Sequence, residues 1–156
     1  MILVVDCFKL VRGAGKSIGI YNLALNLVRN LVEEKAETKD SEIKQCRIVV
    51  LGNAHNEKEF NIPGVEFVCI EHDPLNKLRC IWWELFEVSM IAGKYHADKM
   101  IHPRGYAPIL KMTKEYIVVH HIIPFYYDEH YKVYFNRLEN FSIMSRLNAS
   151  IRSCDR

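Results

Sequence analysis

The run Met1-Ile2-Leu3-Val4-Val5-Asp6 constrains the fold more than any other stretch, because it is apolar at five successive positions and then stops at a carboxylate. A strand with one wet face would alternate apolar and polar residues. An unbroken apolar run of this length is a strand covered on both faces, the mark of a parallel sheet lying between helices. Cys7 to Lys16 then forms a loop containing Gly13 and Gly15, and Ser17 is a good N-cap for a helix over 18–31. Ile20, Leu23, Ala24, Leu27, Val28 and Leu31 recur at helical spacing and predict the face that packs on the sheet. A strand that enters a helix through a glycine loop is how α/β proteins build anion sites.

The remainder alternates in the same way. Arg47 to Gly52 and Val65 to Ile70 read as strands, and Asp73-Pro74 as the start of a helix running through Leu78, Trp82, Leu85 and Phe86 to Gly93, a C′ glycine. Trp82 and Trp83 are adjacent, so they cannot both face the core. Lys99 to His102 predicts a fourth strand ending in His-Pro, and Tyr116 to His120 a fifth ending in His-His. From Asp128 the residues Tyr131, Phe135, Leu138, Phe141 and Ser145 keep helical spacing, while the polar stretch 33–42 is a helix end and a solvated connection. The pattern predicts an α/β fold, a Rossmann-like parallel sheet with helices on both faces, in a single domain over 1–156. Ligands of such sheets bind beyond the carboxyl ends of the strands, where the strand order reverses. The loop Gly13 to Gly19, His102 and His120 all fall on that edge.

Composition narrows the function classes. The 21 Lys and Arg stand against 19 Asp and Glu, for a net charge of +2, and are scattered rather than striped, which argues against nucleic acid as a partner. The five cysteines are odd in number and lack CxxC spacing, predicting a reducing, cytoplasmic setting and no metal cluster. No run reaches the roughly 18 apolar residues of a bilayer span, so any membrane link is peripheral.

The motifs each have a bland reading beside the sharp one. GAGKS at 13–17 approaches the phosphate-cradling GxxxxGK[ST] loop, but counting back from Gly15 puts Leu10 where that loop needs a glycine. Gly13, Gly15 and Gly19 miss the GxGxxG register as well. The loop can still offer backbone amides, Lys16 and a helix N-terminus to an anion; otherwise it is a glycine turn. His120 and His121 point to opposite faces, and either could simply cap a strand end. The other histidines show no metal-ligand spacing, no GxSxG elbow is present, and the aromatic stretch 126–131 reads as a loop and helix start.

Four segments taken together, SIGIYNLALNL (17–27), RCIWWEL (79–85), ADKMIHP (97–103) and IVVHHIIP (117–124), resemble the N-terminal half of family 4 glycosyltransferases of the GT-B fold. Their order and spacing match that family's glycine-rich turn, its tryptophan-bearing helix and its two histidine-ended strands. ASIRSCDR (149–156) resembles the segment before the family's next strand. Ser17 stands where the family often has a glycine, and His121 where it has an aspartate, so a role for that carboxylate is not carried over.

The resemblance implies the acceptor-side domain of a retaining enzyme that moves a sugar from a nucleotide-sugar donor to an acceptor hydroxyl, on a saccharide or a lipid-linked glycan. It implies that the domain is incomplete at its C-terminal end, needs a C-terminal donor-binding domain or chain for activity, and works at the inner face of a membrane without a metal or other cofactor. His120 then corresponds to the catalytic histidine of the cleft. Gly13, Gly15, Lys16 and Gly19 would lie near phosphate or acceptor, with His102 beside them as a further contact. Two alternatives stand next to this reading: a non-catalytic nucleotide- or phosphate-binding Rossmann-like module, and an NTP binder at the GAGKS loop.

Overall fold

A computed structural model of the chain describes residues 1–14, 18–119 and 137–154. Among the described residues five strands form one parallel sheet: β1 (Ile2–Asp6), β2 (Arg47–Gly52), β3 (Val65–Cys69), β4 (Lys99–His102) and β5 (Lys114–Ile117). Their order is β3-β2-β1-β4-β5. The chain steps outward from β1 to β3, then returns to the other side of β1, so the order reverses between β1 and β4. This is the doubly wound, Rossmann-like α/β arrangement, and in sheets of this kind the ligand crevice lies beyond the carboxyl ends of the strands at such a reversal.

Helices cover both faces. On one, Leu3 and Val5 of β1 meet Tyr21, Ala24, Leu25 and Val28 of α1 (Ile18–Glu37) and Phe60 of α3 (Glu57–Phe60). On the other, Val4 and Val49 meet Cys80 of α4 (Lys77–Trp82), Trp83, and Val88 and Ala92 of α5 (Val88–Lys94). Burying each aliphatic side chain stabilises by about 1.5–3 kcal/mol, so β1, apolar toward both layers, anchors two cores at once. The short α2 (Ser41–Lys44) is capped by Asp40, and α6 (Arg137–Ser153) closes the described part.

Several expectations are corrected in detail. The buried face of α1 centres on Tyr21, Ala24, Leu25 and Val28, while Leu23 is exposed, because Tyr21 packs edge-on against Phe60 with ring centroids 5.5 Å apart. The helix expected from Asp73 begins at Lys77, where the Asn76 side chain accepts hydrogen bonds from the amides of Leu78 and Arg79; Asp73 instead accepts from the amide of Leu75 in a turn. The fifth strand starts at Lys114 and ends at Ile117, since it pairs only along the four residues of β4. Phe141 is exposed, and among the described side chains of α6 Leu147 and Ser150 are buried. The fifth-strand end at His120 and the helix expected over 128–136 lie outside the described residues.

Trp83 is fully buried and Trp82 half exposed, in keeping with their adjacency. Between α4 and α5 the helix widens into a π-turn, Trp83–Glu87. The extra residue in that turn brings both Trp83 and Glu84 inward.

Gly93 is not the residue that ends α5. The helix runs on to Lys94, and His96 takes the left-handed C′ position at φ 51°. The amide of Ala97 bonds the Ala92 carbonyl and that of His96 bonds the Gly93 carbonyl, the two bonds of a Schellman cap. A β-carbon in this conformation costs about 1–2 kcal/mol, part of which a glycine returns through its freer unfolded chain. His96→Gly is expected to raise stability by about 0.5–1 kcal/mol, read as a shift in the urea midpoint at constant slope.

Candidate functional site

Asp6 closes β1 and His102 closes β4, side by side at the reversal. Asp6 Oδ1 accepts hydrogen bonds from the Phe8 amide at 3.2 Å and from Trp83 Nε1 at 3.1 Å, and its Oδ2 lies 3.7 Å from His102 Nδ1. His102 Nε2 lies 2.5 Å from Glu115 Oε2, and the other oxygen of Glu115 accepts from Ser89 Oγ at 3.4 Å. His102 is 2% exposed and Glu115 fully buried. Burial alone would depress the imidazole, but hydrogen bonds and charge from Asp6 and Glu115 outweigh it and raise His102 from 6.5 to about 9. It is therefore an imidazolium at neutral pH, clamped by carboxylates on both ring nitrogens. This makes His102 part of the floor under the crevice, in place of the direct ligand contact expected of it.

The loop after β1 is held from below. Asn53 and Asn56, both buried, follow the end of β2 and reach across to it: Asn53 Nδ2 donates to the Phe8 carbonyl at 2.5 Å, and Asn56 Nδ2 to the carbonyls of Cys7 at 2.8 Å and Leu10 at 2.7 Å. Gly52 makes room for this, since a β-carbon there would stand 2.6 Å from Asn56 Oδ1 and 2.3 Å from the Phe67 ring. Leu10, where a phosphate loop would need glycine, sits in the core at 1% exposure, and its amide bonds the Cys7 carbonyl. Gly13 is exposed at φ 79°, and Gly19 lies in the first turn of α1 with open space around it. Gly15, Lys16 and His120 lie outside the described residues.

Above the floor stands a second charged group that sequence reasoning missed. Glu84 is 5% exposed and gathers three cations. Lys9 Nζ donates to its Oε1 at 2.7 Å, Arg146 Nη2 bonds its Oε2, and Arg104 Nε lies 3.8 Å from Oε1. Lys9 comes from the loop after β1, Glu84 from the π-turn, Arg104 from the turn after β4 and Arg146 from α6. Gly105, at φ 80°, shapes the turn that presents Arg104; its amide bonds the His102 carbonyl and a β-carbon there would lie 3.1 Å from the Val118 carbonyl. Arg146 also lies over the Tyr106 ring, 4.6 Å from its centre. Beyond Arg146 a cavity of about 350 Å³ is lined by Leu85, Pro108, Ile109, Ala149 and Ser150.

Two signals in the sequence pointed here. Glu115 stands at the head of the apolar run 116–119, and Glu84 sits against two tryptophans, so each is a carboxylate in a place that demands a partner. Among the described residues no group of His, Cys, Asp and Glu is placed to hold a metal, and no helix is long and apolar enough to cross a membrane.

The His102 contribution to stability is fully present below pH 6.5 and is lost as pH rises through about 9. Unfolding free energies measured by urea across that range should fall, and Glu115→Gln should move the His102 titration, followed by NMR, to lower pH. Asn56→Ala removes one of the two donors from each of the Cys7 and Leu10 carbonyls and takes the acceptor from the buried Asn53 amide, and is expected to cost about 1–3 kcal/mol, with faster amide exchange over 7–14.

No protein-family model, curated protein or solved structure matches the chain.

Proposed function

We propose that this chain is the acceptor-side Rossmann-like half of a retaining glycosyltransferase, working with a donor-binding domain or chain that supplies the nucleotide-sugar. The observation that carries the reading is the gathering of Lys9, Asp6, His102 and Arg104 where the order of the described strands reverses. Glu84 and the His102-Pro103 turn, from two of the segments behind the family resemblance (79–85 and 97–103), stand beside the loop after β1 at that edge of the sheet. On this reading the buried carboxylate–imidazolium chain fixes the crevice floor, and the cationic rim faces the charge that develops on a departing diphosphate or rests on the acceptor. His120 orients the acceptor hydroxyl or contacts the transferred sugar, and no metal takes part.

A second reading, a phosphate-binding module that catalyses nothing, is favoured by the excess of cations around Glu84. The two are separated by supplying a donor-binding domain and screening nucleotide sugars, with acceptor mass as the readout. The glycosyltransferase reading expects a sugar-sized mass gain and a loss of turnover of about a hundredfold or more in His120→Ala. Binding of phosphate compounds with no transfer from any donor would leave only the module.

A further inference from the structure

The Glu84 cluster is unbalanced. Among the described residues three cations converge on one carboxylate, and with the floor counted four cations, Lys9, Arg104, Arg146 and His102, face three carboxylates, Glu84, Asp6 and Glu115. Like charges held this close and half desolvated repel, so an added anion between them would relieve the repulsion. The bonding is incomplete as well: Arg104 Nε is buried without a hydrogen-bond partner, its nearest carboxylate oxygen being 3.8 Å away. Yet the side chains of Lys9, Arg104 and Arg146 each keep part of their surface open, and they come from three segments that border the crevice. Two planar guanidinium forks and an ammonium around one point are suited to a tetrahedral oxyanion, which accepts several charge-assisted hydrogen bonds at once.

We infer that Lys9, Arg104 and Arg146 seat a phosphate group carried by the acceptor. This rests on the acceptor-side reading above and names the chemistry of that acceptor. The phosphate belongs either to a polar phosphorylated saccharide or to an amphiphile. In the second case the tail enters the cavity beyond Arg146, whose lining of Leu85, Pro108, Ile109 and Ala149 is largely apolar.

The test is calorimetry on the 156-residue chain with inorganic phosphate and with dodecyl phosphate below its micellar concentration. Wild type is expected to bind inorganic phosphate in about the millimolar range, and Arg104→Gln and Lys9→Gln to weaken it about tenfold or more at unchanged circular dichroism. If Arg104→Gln does not fold, the wild-type melting temperature decides: phosphate must raise it where chloride at equal ionic strength does not. Dodecyl phosphate binding about tenfold more tightly, with the gain removed by Ala149→Leu, identifies an amphiphile; equal affinities identify a polar phosphate. Absence of binding by both probes up to about 10 mM, or binding untouched in the Lys9→Gln/Arg104→Gln double variant, overturns the inference. Transfer to an unphosphorylated acceptor without phosphate binding would remove the seat and leave the glycosyltransferase reading; phosphate binding without transfer would do the reverse.

Discussion

Asp6 ties together the three segments that meet at the edge of the sheet. Its carboxylate ends the central strand, takes the amide of Phe8, receives the indole of Trp83 and stands beside the His102 ring. Those contacts fix the start of the β1 loop, the π-turn and the end of β4 relative to one another. A carboxylate this buried is tolerable only because donors and a cation surround it, and the cation is tolerable only because Glu115 lies on its far side. Remove any member and the charges that remain are stranded in the core. The geometry of the crevice depends on this chain more than on the apolar packing around it, which can adjust.

Much of the fold was legible because its signals are local. An unbroken apolar run, a glycine loop and alternating helical and strand patterns suffice to predict a parallel α/β sheet, and the sheet then puts His102 and the β1 loop on one edge. The floor and rim were not legible, because each depends on pairs far apart in the chain. Glu115 within a strand and Glu84 beside tryptophans read as polar residues until His102 and Lys9 are seen against them. Asn53 and Asn56 look like turn residues; that they serve the carbonyls of another loop is a fact of the β1–β2 pairing. The phase of α1 was misjudged for a related reason, since Tyr21 becomes a core residue only when Phe60 is there to meet its ring.

The layering of the site assigns different duties to similar residue types. Carboxylates at Asp6 and Glu115 hold a neighbouring cation and are consumed by doing so. Glu84 serves as an assembly point for cations whose combined charge it cannot cancel. The first arrangement is closed and the second open.

The π-turn at Trp83–Glu87 also bears on how sequences of this kind can diverge. A single added residue uncouples the rotational phase of the helix before it from that of the helix after it. The apolar outer surface of α4, where Leu78, Ile81 and Trp82 are exposed, can therefore vary without turning Val88 and Ala92 of α5 out of the core. A deletion inside the turn would restore one continuous helix and swing Glu84 away from its cations, so length in this segment is under tighter constraint than residue identity.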